Sequence, residues 1–328
     1  MNNFKKIGLT ALAASLVATS AFAGSLEVSG GASIKSAHVT EATGANAGKA
    51  FSMGNSVTFT GGGELDNGIN VAISFELDQG AADNAAVTTA GVVAAGTGSV
   101  FDSHSVTVSS DALGSLTFAG HGGDSAQSQV KDTTGKIWDI QGTTSQSVAS
   151  SSSNNMMLYT LPSLVDGLTV KASYVPKGAV ATRYESAVDY AVAYSGVEGL
   201  VVGAAFGEDT DTKGEIADVD TLYANYTYGP VKVAYTQTER DESTLANDRE
   251  HTAMSISYTV SENISVMYAE SEVETGSTSD QDEEVSGFTA SYTMGGMTLS
   301  GAMIDIDNQG FVSGTKSEAW ELALAFAF

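Results

Sequence analysis

Apolar side chains recur at every second position along most of this chain, and that period constrains its fold more than any other feature. Ile69, Val71, Ile73, Phe75 and Leu77 interleave with Asn70, Ala72, Ser74, Glu76 and Asp78. At the far end Trp320, Leu322, Leu324, Phe326 and Phe328 alternate with Glu321, Ala323, Ala325 and Ala327. The same period runs through Leu168–Tyr174, Val188–Tyr194, Val231–Tyr235 and Met254–Val260. A helix would bring its apolar residues back every three or four positions, so these segments predict β-strands with one apolar and one polar face.

The connections between strands are equally informative. Short turns at Asp66-Asn67-Gly68, 111–114, 163–167, 196–199, Gly229-Pro230, 261–263 and Gly295-Gly296 hold residues that accept turn dihedrals or bond their own backbone. Between them lie longer polar stretches at about 38–51, 79–99, 121–154, 176–182, 208–217, 241–248, 273–284 and 307–316. Short and long connections alternate strictly. Seven turns and eight loops predict about sixteen antiparallel strands, with both termini on the short-turn side.

Residues 1–23 read as a signal peptide. Lys5 and Lys6 precede a largely apolar stretch from Ile7 to Ala18, and Ala21-Phe22-Ala23 supplies the small residues of a cleavage site before Gly24. That stretch is too short to cross a bilayer core of roughly 30 Å, which takes about 20 apolar residues. Later apolar runs, such as 199–206, reach only strand length. The expectation is a chain exported through the Sec pathway, with one domain over 24–328. The backbone of such a chain is satisfied in lipid only by a closed barrel.

Without the two leader lysines the chain carries 12 basic and 39 acidic residues, a net charge of −27. Such a surface repels nucleic acid and favours cations. There is no cysteine, so no disulfide or thiolate metal site can form. The four histidines, His38, His104, His121 and His251, show no metal-ligand spacing, and no G-x-S-x-G elbow appears. Gly61-Gly62-Gly63 lacks the lysine of a phosphate loop. No enzyme, cofactor or metal site is expected. The acid groups at Asp209, Asp211, Asp218 and Asp220, and at Asp280, Asp282, Glu283 and Glu284, are expected in or beside external loops and match no calcium-loop motif.

Alternation alone does not say which face meets lipid, since a soluble β-sandwich alternates too. The polar face here is rich in Ser, Thr, Ala and Gly, as a wet lumen would be. Aromatic residues crowd strand ends, as at Tyr226, Tyr228, Phe326 and Phe328. Turning over the strand at Ile69 would put Asn70, Glu76 and Asp78 into lipid. The fold class expected is an all-β, transmembrane antiparallel β-barrel with short periplasmic turns and long external loops.

These features, with the opening strand Leu26-Glu27-Val28-Ser29-Gly30-Gly31 and the closing Trp320–Phe328, resemble Gram-negative general-diffusion porins of the outer membrane. The segment 155–162, followed by Asp166-Gly167-Leu168 and Ala172-Ser173-Tyr174, is similar to the alphaproteobacterial kind. The resemblance implies a homotrimer in outer-membrane lipid and lipopolysaccharide. It also implies that the barrel-assembly machinery reads Phe328 with Phe326, and that the third long loop, His121 to Asn154, folds into the lumen.

If that loop turns inward, it presents Asp124, Asp132 and Asp139, joined by Lys131, Lys136 and Trp138. Strand parity points Lys35, Lys171, Arg183, Lys232 and Arg249 inward from the wall. Acids facing bases across a constriction create a transverse field that orients dipolar solutes. The function expected is passive diffusion of ions and small hydrophilic solutes, with cations preferred. Screening over about 8–10 Å would let the wall bases reverse that preference. An adhesive or receptor β-protein, or a barrel hydrolase, is the competing class.

Overall fold

A computed structural model describes residues 26–39, 48–78, 101–129, 133, 137, 154–176, 186–210, 216–277 and 281–328. The expected signal peptide lies outside them. The first strands are β1 (Leu26–Val39), β2 (Gly48–Glu64), β3 (Asn70–Asp78), β4 (Ser103–Ser110) and β5 (Gly114–His121). Next come β6 (Met156–Thr160), β7 (Leu168–Val175), β8 (Ala187–Val197), β9 (Leu200–Thr210), β10 (Ile216–Tyr228) and β11 (Val231–Asp241). The last are β12 (Arg249–Ser261), β13 (Ile264–Thr275), β14 (Glu283–Met294), β15 (Met297–Asp307) and β16 (Lys316–Ala327). Each strand pairs antiparallel with its sequence neighbours, and β1 pairs with β16 to close one sixteen-stranded barrel.

The closing seam runs from Gly31 opposite Ala327 to Val39 opposite Ala319. It continues through the last residue, because Gly30 N–H donates to the Phe328 carbonyl (2.8 Å) and Phe328 N–H donates back (3.0 Å). Gly30 is needed there: a Cβ would lie 2.8 Å from the Phe328 ring. At the tight turn between β8 and β9, Gly199 has φ of 75°, and a Cβ would sit 2.3 Å from the Thr227 carbonyl. Only glycine meets both demands.

The apolar set of each strand faces outward. Phe288 and Met303 are about two-thirds exposed, at 66% and 69%, while Ala269 and Val273 on the inner face are fully buried. Outward exposure of large apolar residues is expected where the surrounding medium is lipid, and is costly in water. Tyr194, Tyr226, Tyr228, Tyr258, Tyr292, Phe326 and Phe328 point outward at the turn end. Nearer the loop end, Tyr190 packs on Phe206 (5.6 Å between centroids) and Tyr268 on Phe288 (4.7 Å). Aromatic rings thus border the apolar band on both sides, as interfacial anchoring favours.

The wall differs around its circumference. β3 to β7 are 9, 8, 8, 5 and 8 residues long, whereas β10 and β12 have 13 each. From β9 to β16 the strands run beyond the apolar band, and the extra length carries acids. Asp209, Asp218, Asp220, Glu283 and Glu284, grouped from the sequence with the external loops, lie within β9, β10 and β14. Pairing between β9 and β10 persists to Ile216 opposite Thr210. The alternation stops where lipid stops, but the backbone ladder does not.

Outward and inward neighbours should respond differently to the same charge. Ile256→Arg, in the apolar band of β12, is expected to cost about 2–4 kcal/mol, whereas the adjacent inward Ser257→Arg should cost far less. Urea titration of the refolded barrel in vesicles checks the pair.

Candidate functional site

Described parts of the 122–155 connection lie inside the barrel. Its 3-10 turn, Ala126–Gln129, lies against the inner face of β7, β8 and β9, and Ser125, Ala126 and Gln127 are buried. Further along, Ile137 is buried among Ala269, Val273, Val285, Ile304 and Ile306, inner-face residues of β13, β14 and β15. The two described parts of the connection therefore lie against different walls of the lumen.

The inner wall is polar and charged. Lys35 projects inward from β1 with its Nζ 4.0 Å from Glu321 Oε2 on β16. Parity places Lys171 on the inner face of β7, two residues from Ser173, whose hydroxyl touches the crossing segment. Lys232 is inward, next to the Gly229-Pro230 turn and far from the loop end. Arg249 stands at the loop end of β12, where its Nη1 donates to Thr275 Oγ1 (2.8 Å) and to the Asp248 (2.7 Å) and Ala246 (3.1 Å) carbonyls. Its guanidinium also lies 4.8 Å from the Phe311 ring centre. These contacts tie external connections together at the mouth.

Asp124 is exposed just before the 3-10 turn. Asp132, Asp139 and Arg183 lie outside the described residues, as do Lys131, Lys136 and Trp138. The structure thus brings Lys35 to Glu321, an acid of the wall rather than of the loop. Phe326 and Phe328 face outward at the turn end.

Sequence reasoning missed Ser173 and Asp189, which hold the crossing segment, although parity puts both on the inner face of their strands. Gln127 and Ile137 belong to no periodic run, so nothing in the sequence singled them out.

Most acids of β9 to β16 do not face the pore. Glu208, Asp218, Asp220, Glu239, Glu250, Glu272, Glu274, Glu284 and Asp307 share parity with the lipid-facing residues below them. They stand directly opposite one another across the strands: Asp220, Glu239, Glu250 and Glu274 form one row, and Glu272, Glu284 and Asp307 another. The second row ends on Lys316, 2.5 Å from Asp307. Among the described residues of β1 to β7 no acid faces outward.

A closed antiparallel barrel, apolar outside and polar inside, with described parts of a long connection held against its inner wall, defines a membrane channel of the porin type. A sequence model of the Gram-negative porin family matches residues 8–287; the chain belongs to that family. Solved structures of the same fold include an anion-selective porin from Comamonas acidovorans, at a TM-score of 0.69 and 15% identity, covering 93% of this chain and all of that one. A mutant of Rh. blastica porin gives 0.65 and 16%, with the same coverage. OmpT, an outer membrane protein of Vibrio cholerae folded in vitro, gives 0.66 and 13%, covering 93% and 98%. No curated protein matches the chain.

Like charges directly opposite across a ladder are destabilising by roughly 0.2–1 kcal/mol per pair. Glu284 faces both Glu272 and Asp307. Glu284→Gln should therefore raise the thermal unfolding midpoint of the barrel in low-salt detergent. The gain should shrink at high ionic strength, where screening already weakens the repulsion.

Proposed function

We propose that this porin lets ions and small hydrophilic solutes diffuse passively across the outer membrane, with a preference for cations and without a covalent step or cofactor. The observation that carries the channel reading is the polar lumen lined by Lys35, Glu321, Lys171 and Lys232, with Gln127 and Ile137 of the 122–155 connection buried against its walls. Asp124, with Asp132 and Asp139, supplies the acidic side of the narrow zone. Lys171, Lys35, Arg183, Lys232 and Arg249 supply the basic side. The acid-rich loop end of β9 to β16 supports cation preference, because its field reaches the mouth even though the side chains face outward. Family and fold favour a channel over a hydrolase, and no feature of the site favours an adhesive role.

The remaining expectations belong to the same reading. The leader is removed before Gly24 after Sec export, and the assembly machinery reads Phe328 with Phe326. The protein forms a homotrimer through the apolar wall of β2 to β5. Phe59 stacks on Phe75 there (5.0 Å) and Phe101 meets Phe75 edge-on (5.4 Å), leaving a broad apolar patch with no outward acid. The opposite, acid-topped wall suits lipopolysaccharide, whose accompanying cations offset the rows of carboxylates.

Planar-bilayer recording of the refolded mature protein tests the channel. Stable conductance steps in threes, with a cation-selective reversal potential under a salt gradient, are expected. Absence of conductance from a folded barrel would overturn the reading. Anion selectivity would remove the charge preference alone. Lys171→Gln should move the reversal potential further towards cations, whereas Glu272→Gln should move it less and only at low salt. Phe75→Arg should convert the trimer to monomers, as read by mass in detergent, with the barrel intact.

A further inference from the structure

The crossing connection is attached to the wall in two described places of opposite chemistry. Ile137 sits in an apolar socket formed by β13 to β15. On the wall of β7 to β10 the attachment is a network of hydrogen bonds centred on Asp189. Ser173 Oγ accepts the Ala126 N–H (2.8 Å) and donates to Asp189 Oδ2 (2.9 Å). Gln127 Nε2 donates to Asp189 Oδ1 and to the Val219 carbonyl, both at 3.2 Å. Both partners are acceptors, so the amide nitrogen of Gln127 and not its oxygen must face them.

Asp189 is only 2% exposed and Gln127 is fully buried. A carboxylate in such a place is costly unless donors converge on it. The wall is cut to admit it: Gly207 lies directly opposite Asp189, and a Cβ there would come within 2.4 Å of Asp189 Oδ1. Hydrogen bonds depend steeply on direction and distance, whereas apolar burial does not. The socket around Ile137 tolerates sliding; the Asp189 network does not.

We infer that Asp189, acting through Gln127 and Ser173, is the positioning residue that fixes the crossing segment against β7 to β10. In doing so it holds the open pore at one steady width. This rests on the channel reading above. Asp189 touches no solute in this role. Its removal leaves the segment tethered at Ile137 but free to move on the other side, so a constant narrowing becomes a fluctuating one.

Single-channel recording of Asp189→Leu, Gln127→Ala and Asp189→Asn decides the matter, with heat-modifiable gel migration run beside each. The wild type is expected to hold one open level per subunit. Asp189→Leu and Gln127→Ala should split that level into interconverting substates and lower the voltage at which the channel closes. Asp189→Asn, which keeps one acceptor oxygen, should fall between. Gln127→Ala leaves the barrel wall untouched, so its result stands even if Asp189→Leu fails to fold. A single steady level in folded Gln127→Ala would overturn the inference. So would substates seen only in variants whose barrel melts at lower temperature than wild type. A wild type that does not conduct would instead overturn the channel reading itself.

Discussion

In the hydrocarbon of a bilayer there is no water to bond a backbone N–H or C=O, and each unsatisfied group costs several kcal/mol. An open sheet of this chain would leave two full edges of such groups. Pairing β1 with β16 removes both, and the exchange of bonds between Gly30 and Phe328 carries the ladder to the final residue. The remaining features depend on this closure. Strand order, the even strand number and the position of both ends on the turn side are its geometric consequences.

Closure also divides the side chains into two populations that meet different media. Ile256 and Ser257 are neighbours in sequence, yet one faces lipid and the other the lumen. The same rule decides the fate of charge. A net charge of −25 for the chain suggests a strongly negative pore, but much of that charge stands on the outer wall above the apolar band. Within the lumen, acid and base are nearer balance: Lys35 meets Glu321, and Lys171, Lys232 and Arg249 share the inward parity. Total charge is therefore a poor guide to the field that a solute meets in the narrow zone.

The two halves of the wall differ for a related reason. Where strands are short, as in β3 to β7, the outer face carries no acid over its described length and bears Phe75 and Phe118 beside His104. Along β9 to β16 the ladder rises past the lipid and its outward positions turn acidic. The inner face is divided along other lines. The crossing segment is bound by hydrogen bonds on one side and by apolar packing on the other, so its position is set by two kinds of force.

The period of the sequence, read with its alternating short turns and long loops, pointed to the barrel, to about sixteen strands and to the inward parity of Lys35, Lys171 and Lys232. Lipid and water sort side chains with a strict alternation that survives in one dimension. It also determined where turns fall, because residues such as Gly199 and Gly295 are written into the chain wherever the backbone must take a positive φ. Strand ends near the loops were less legible, since a strand above the bilayer keeps its ladder after its apolar signal ends. The crossing segment was the least legible part. Gln127 meets Asp189 from 62 residues away, and Ile137 meets Val273 and Ile304 from still farther along the chain. Contacts of that kind follow from closure of the barrel around the segment. They carry no periodic signature, so only the tertiary structure decided them.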